Sequence, residues 1–407
     1  MRSCSVSKKG SKFSSLKHEK IDFSDTSIAF KALSNSELVK SYWLFRIIGN
    51  PWLGKWGPKL ASASLKARVP VGPLIKSTIF GQFCGGESIE ECEARIDLLA
   101  EHGVGTILDF ASEGVHSEAD FDAVAQEIMR TIDLASYKES VPFAVFKPTG
   151  VGRSSLLEKK DKKLPLSDAE KNEFLRIEER FDQLCSYAYK KNVRLLVDAE
   201  ESWIQAPVDS LVRKMMRRYN KDGAIVYNTV QMYRKDRLDF FKHSHADAIA
   251  NDYYLGVKLV RGAYLEKEAK RARKLSYPNP IHASKEATDQ DFNLALRFAV
   301  ENHDRIALCV GTHNEKSIKL LTDLMYEHKI ALDDQRYYFS QLLGMSENLT
   351  YNLVNSGYLV CKYVPYGKLN DLIPYLSRRA QENSAMLGQT NREAALIKDE
   401  MHRRKIC

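Results

Sequence analysis

Residues 167–202 read SDAEKNEFLRIEERFDQLCSYAYKKNVRLLVDAEES. Ser167 is followed three residues later by Glu170, the spacing of a capping box, in which each side chain satisfies a backbone N–H that the first helical turn leaves unpaired. The run Asp168 to Lys191 has the amphipathic period of a helix, and Arg194 to Asp198 is a short apolar stretch that ends on a carboxylate. A helix feeding a buried strand with a polar residue at its carboxyl end is one unit of a parallel α/β fold.

The unit recurs outward in both directions. Short apolar runs occur at Gly105 to Phe110, Phe143 to Lys147, Arg194 to Asp198, Ala224 to Val230, Gly256 to Val260, Ile306 to Val310, Tyr337 to Gln341 and Tyr358 to Tyr363. Amphipathic stretches follow them, among them Ser117 to Tyr137, Val208 to Asn220, Phe292 to His303 and Asn370 to Asn383. Eight strands in strict alternation with helices are the number that closes a TIM-like (βα)8 barrel; a doubly wound open sheet is the alternative. The reading divides the chain into 1–20, a helical region at 21–100, the barrel at 101–385 and a tail at 386–407. Val151 to Pro165, with Lys159, Lys160, Lys162 and Lys163, reads as a mobile loop. Leu38, Trp43, Phe45, Ile47, Trp52 and Trp56 form an aromatic-rich patch, expected to pack on the barrel or else to meet a membrane surface.

Composition excludes several classes. The 407 residues carry a formal charge of +8, yet Arg2, Lys8, Lys9, Lys12, Lys17 and Lys20 against Glu19 put +5 of it in the first 20. The rest is nearly balanced, which argues against a nucleic-acid protein. That basic, serine-rich, acid-poor leader has the composition of a mitochondrial transit peptide, with a disordered basic tail as the alternative. No apolar run reaches the ~18 residues of a spanning helix. The seven cysteines lack a C-x-x-C pair and read as reduced thiols. His243 and His245 fall two residues apart in a stretch that reads as a helix, on different faces, so no metal site is expected.

In a parallel barrel the chemistry sits at the carboxyl ends of the strands. The residues there are Asp109, Lys147, Asp198, Gln231, Lys258 with Arg261, Thr312, His313, Gln341 and Tyr363. A lysine ending an apolar strand needs a partner, and Asp198 on the next strand is the candidate for Lys147. Gly103-Val104-Gly105 and Gly150-Val151-Gly152 lack the third glycine of a Rossmann fingerprint, and no P-loop or nucleophile elbow is present. Any nucleotide cofactor must therefore be held by the barrel mouth. Beyond the last strand, Arg378 and Arg379, with Glu382 one turn on, suit a small carboxylate. Lys147 or Lys258 as a Schiff-base nucleophile, and a basic non-enzymatic binding module, are the competing readings.

Seven separated segments then carry a resemblance: FKPTG at 146–150, DAEES at 198–202, NTVQMYRK at 228–235, KLVRGAYLEKE at 258–268, GTHN at 311–314, QLLGM at 341–345 and KYVPYGKLNDLIPYLSRRAQEN at 362–383. In order and in position at the strand ends, they resemble the proline dehydrogenase family over about residues 70–385. The resemblance implies a distorted barrel holding non-covalent FAD, and oxidation of L-proline to Δ1-pyrroline-5-carboxylate. It further implies a quinone acceptor at the matrix side of the mitochondrial inner membrane; hydroxyproline oxidation is the nearest alternative. Lys258, where some relatives carry arginine, would lie near the flavin N5 and Gln231 at its pyrimidine edge. Arg261, Gly262 and Ala263 would approach the ribityl chain and pyrophosphate, and Thr312, His313 and Asn314 the ADP half. Arg378 and Arg379 with Lys147 would clamp the substrate carboxylate, Glu382 orienting an arginine and Asp198 fixing Lys147. Leu342, Tyr363 and Tyr375 would wall the ring, and Tyr264 would close over it. The Tyr363 phenol would crowd a 4-hydroxyl and so favour proline over hydroxyproline.

Overall fold

The computed structural model describes residues 21–48, 76–111, 115–373, 375–376 and 387–406. Eight parallel strands close on themselves in sequence order: β1 (Gly105–Phe110), β2 (Phe143–Phe146), β3 (Arg194–Val197), β4 (Val226–Gln231), β5 (Leu255–Val260), β6 (Ile306–Gly311), β7 (Tyr337–Leu342) and β8 (Val360–Tyr366). β1 pairs with β8 in parallel, Ile107 opposite Tyr363, so no edge is left open. The open-sheet alternative is thereby excluded, and the expected strands stand with ends moved by at most three residues.

Strand alternation then sorts the side chains. Ile107, Phe143, Val145, Leu196, Tyr227, Cys309, Tyr338, Cys361 and Tyr363 fill the barrel interior as one cluster, while the alternate residues join the surrounding helices in a larger one. Arg194 lies over the rings of Phe143 and Tyr338. The residues two positions beyond Ile107, Val145 and Leu196 are Asp109, Lys147 and Asp198. The same face is therefore apolar within the barrel and charged at its carboxyl end.

The helix Asp168–Lys191 starts at the expected capping box and ends at Asn192, whose φ of 54° is the left-handed turn that stops a helix. The helix expected from Val208 begins at Gln205 and tolerates Pro207 because its first turn has no N–H partner to lose. The helix expected from Phe292 begins earlier, at Lys285, where Ser284 caps it. Of the Asn370 to Asn383 helix, residues 369–373, 375 and 376 are helical and the remainder lies outside the described residues.

Two expectations are corrected. The lysine-rich segment is not a loop: Ser154–Asp161 is a helix, because Leu156 and Leu157 drop fully into the core while the lysines face out. Lys159 pairs with Glu170 at 2.7 Å, Lys162 with Glu158 at 2.6 Å, and Lys160 lies over the Phe174 ring. The C-terminal segment is not a tail: Leu387–Arg403 is a helix packed against Asn35–Ile48, its Ala394, Ile397 and Met401 sharing a cluster with Leu38 and Phe45. Trp43 and Ile47, from the same aromatic patch, stand exposed at 60% and 51%. Trp52, Trp56 and the leader at 1–20 lie outside the described residues. On Arg237–Ala250, His243 is exposed and bonds the Asp239 carbonyl while His245 packs on Phe298, the divergence expected of neighbours two apart. Among the described residues no helix is long and apolar enough to cross a membrane.

Gly256 faces the interior beside the bulky Tyr227; a Cβ there would meet the Val226 carbonyl oxygen at 2.5 Å and the Tyr227 ring at 2.8 Å. Gly256→Ala is expected to cost about 1–3 kcal/mol by overpacking, read as a lower urea midpoint. An unchanged midpoint would mean that the interior layer yields.

Candidate active site

Asp198 follows directly on β3 and projects into the mouth. Its Oδ1 accepts from the Lys258 ammonium at 2.6 Å and from the Thr229 hydroxyl at 3.3 Å, and its Oδ2 from the Tyr363 hydroxyl at 2.7 Å. Those donors come from β5, β4 and β8, so a single carboxylate joins four strands. The Lys258 ammonium also lies 4.3 Å from the centroid of the Tyr363 ring. Burial works to raise the Asp198 carboxyl, but Lys258 and Lys147 outweigh it and hold its pKa below the usual range.

The direct partner of Lys147 is Asp109, not Asp198 as the sequence suggested. Lys147 sits between strands that both end in aspartate, and the β1 carboxylate makes the contact while that of β3 is taken up by Lys258. Burial lowers the Lys147 pKa, and the charges of Asp109 and Asp198 more than compensate, so the ammonium stays charged. A Schiff-base lysine needs the opposite shift.

Beyond Asp198, the DAEES segment anchors its surroundings. Glu200 accepts from the Thr149 backbone N–H at 2.9 Å and its hydroxyl at 2.7 Å, and burial pushes its carboxyl up to about 7. Glu201 pairs with Lys267, and the Ser202 N–H and hydroxyl both donate at 2.6 Å to Glu268, which is wholly buried. These contacts pin the helix Leu265–Leu275, and with it Tyr264 at its N-terminus, against the mouth.

The far rim comes from β4 to β7. Arg261 donates to Asp289 at 2.6 Å, to the Thr312 hydroxyl at 2.7 Å and to Ser317 at 2.9 Å, with its guanidinium over Phe292. Asn314 caps the helix Glu315–Glu327 through the Ser317 N–H. Next to Arg261, Gly262 and Ala263 are exposed; Gly262 has φ +130°, and a Cβ there would strike the Tyr233 ring at 2.5 Å. Only glycine combines that conformation with that contact, and it leaves bare backbone at the mouth. Gln231 is 3% exposed; its amide nitrogen donates to the Glu200 carbonyl at 2.7 Å, while its Oε1 has no partner among the described residues. Gln341, although a strand-end residue, turns outward to Thr350 at 3.0 Å. Leu342 borders the rim, and Tyr375 is buried in the cluster that includes Leu372 and Met345. Arg378, Arg379 and Glu382 lie outside the described residues.

Thus Lys147, Asp198, Lys258 and Tyr363 converge. Asp109 was legible as a strand end but not as the Lys147 partner, and Thr229, Asp289 and Ser317 had no sequence signal, being ordinary residues made relevant by register.

A closed parallel barrel with a buried, fully paired charge network at its carboxyl mouth defines an α/β-barrel enzyme. The family profile described as proline dehydrogenase matches residues 92–392. The carbapenem antibiotics biosynthesis protein CarD of Pectobacterium carotovorum subsp. carotovorum is 36% identical over 83% of this chain and 87% of its own. Proline dehydrogenase 1, mitochondrial, of Dictyostelium discoideum is 30% identical over 95% of this chain and 76% of its own. The chain belongs to the proline dehydrogenase family. The crystal structure of proline utilization A (PutA) from Bdellovibrio bacteriovorus inactivated by N-propargylglycine shares the fold, with a TM-score of 0.70 and 19% identity over 89% of this chain; the chain spans 42% of that PutA chain.

Removing the Lys258 charge leaves Asp198 buried beside a weaker set of partners. Lys258→Met is expected to cost roughly 3–5 kcal/mol at pH 7. The sign of the pH dependence follows from the pairing. In the parent the lowered Asp198 pKa contributes stability that is present above the unfolded value and lost as pH falls through the folded one. In the variant burial raises that pKa, so acid relieves the penalty, and the gap in urea midpoint should narrow between pH 7 and pH 5. A constant gap would show that Asp198 is not the group left uncompensated.

Proposed function

We propose that this chain oxidises L-proline to Δ1-pyrroline-5-carboxylate with FAD as cofactor, passing electrons to a membrane quinone. The observation that carries the reading is the paired network Lys147–Asp109 and Lys258–Asp198–Tyr363, standing on the family's own motifs at the barrel mouth.

The residues present fit the cofactor. The unpartnered Gln231 Oε1 is an acceptor suited to an N–H at the pyrimidine edge, and the exposed Gly262–Ala263 backbone admits a phosphate-bearing chain. Lys258, Gln231, Arg261, Gly262, Ala263, Thr312, His313 and Asn314 would hold it. FAD when bound supplies the hydride acceptor. The protein's part is position and field. Lys147, kept cationic by Asp109, would join Arg378 and Arg379 on the substrate carboxylate, with Glu382 in the role of orienting an arginine that the family resemblance implies. Charge-assisted bonds of that kind contribute about 1.5–3 kcal/mol each and place the ring carbon next to nitrogen for reaction. Lys258, held by Asp198, presents positive charge where negative charge develops. Leu342, Tyr363 and Tyr375 wall the ring, and Tyr264 closes over it.

The basic leader and the relatives named mitochondrial favour work at the matrix side of the mitochondrial inner membrane, by peripheral contact.

Purified protein should show flavin absorption near ~450 nm that bleaches when proline is added without oxygen. A protein that stays colourless after FAD is added back would refute the reading. Tyr363→Ser should shift the ratio of kcat/KM toward hydroxyproline by about tenfold or more, as expected for relief of a steric clash. Unchanged selectivity would remove the Tyr363 phenol as the discriminator.

A further inference from the structure

The loop after β7, Leu343–Ser346, is gripped by side chains from three places outside it. The buried Lys362 ammonium donates to the Met345 carbonyl at 2.6 Å and lies 3.2 Å from Glu347. Gln82 from the N-terminal region donates to the Gly344 carbonyl at 3.3 Å, and a Cβ on Gly344, at φ +73°, would fall 2.3 Å from the Gln82 carbonyl oxygen. Glu393, on the C-terminal helix and 4% exposed, accepts from the Ser346 backbone N–H at 2.7 Å.

Ser346 itself sits at φ 54° and ψ 47°, a conformation that costs a non-glycine residue about 1 kcal/mol or more and needs surroundings to hold it. Its hydroxyl is 2.8 Å from His313 Nδ1, while the Leu342 backbone N–H points at His313 Nε2 from 3.4 Å. A backbone N–H can only donate, so Nε2 accepts, the ring proton is on Nδ1, and Nδ1–H donates to the Ser346 oxygen. Both ring nitrogens are thus engaged by the protein. The residue before Glu393 makes a parallel contact: Arg392 pairs with Glu315, the first residue after GTHN. The C-terminal helix therefore holds the residue that follows GTHN directly, through Arg392, and reaches His313 through Ser346.

We propose that Glu393 is a positioning residue for the cofactor site: through Ser346 it fixes the ring plane and tautomer of His313. The effect is that a helix lying outside the barrel sets FAD affinity. This rests on the reading above that His313 faces the ADP half of FAD.

The test uses the full-length chain carrying Glu393→Ala, Glu393→Gln, His313→Ala and the Glu393→Ala/His313→Ala pair. FAD dissociation constants come from quenching of flavin fluorescence, and His313 tautomers from imidazole 15N shifts of the FAD-free chain. Glu393→Ala should weaken FAD about tenfold, and Glu393→Gln, which keeps an acceptor for the Ser346 N–H, much less. In the His313→Ala background the Glu393→Ala loss should fall below about twofold. An equal loss in both backgrounds would mean that Glu393 only supports the fold, and would overturn the proposal. The 15N shifts separate the two premises: Nδ1–H should dominate in the parent and give way to a mixture in Glu393→Ala. An unchanged tautomer overturns the brace whatever FAD does. A changed tautomer with FAD affinity indifferent to His313→Ala supports the brace and refutes instead the placement of His313 at the cofactor.

Discussion

The constraint on which the rest depends is the burial of Asp198 at the carboxyl end of a closed barrel. A carboxylate there is tolerable only if its oxygens are filled by donors, and Lys258, Tyr363 and Thr229 arrive from three other strands to fill them. Closure is what makes this geometry available: Tyr363 on β8 can reach Asp198 on β3 only because β8 returns to pair with β1. The network in turn sets the charge state of the mouth, with Lys147 kept cationic by Asp109 and Asp198 kept anionic by the two lysines.

Around that centre the molecule is organised in shells. The DAEES segment turns one strand end into anchors for two neighbours, Glu200 toward Thr149 and Ser202 toward Glu268, so the helix carrying Tyr264 cannot swing freely. On the opposite rim Arg261 gathers Asp289, Thr312 and Ser317. The helices Asn35–Ile48 and Leu387–Arg403, which contribute no strand, pack on each other through Leu38, Phe45, Ala394 and Ile397, and the β7 loop is reached by Glu393 from the second of them and by Gln82 from the short helix Gly81–Phe83. Segments outside the barrel thereby shape its mouth without entering it.

Much of this was readable beforehand, for reasons of period. Inward-facing positions alternate along a strand, so an apolar residue two before a charged one marks both the core and its exit, as in Leu196 and Asp198. What was misread failed for physical reasons as well. Four lysines in the Val151 to Pro165 stretch outweighed the two leucines that decide its fate, because composition counts solvated charges equally with buried contacts. The tail was missed because the amphipathic face of Leu387–Arg403 has meaning only against Asn35–Ile48, some 350 residues earlier in the chain.

The sequence by itself determined the eight alternating units and which polar residues stand at the strand ends, while the pairing of β1 with β8 is what closes the barrel. The units and the strand ends follow from local period and the parity of a strand, and both are written in neighbouring residues. Only the tertiary structure decided the pairing of those residues. Lys147 stands between two aspartates, and which one it meets depends on the register of β1, β2 and β3 and on the prior claim of Lys258 on Asp198. The grip of Glu393 on Ser346 is of the same kind, since a hydrogen bond between residues 47 apart in sequence leaves no periodic trace in either segment.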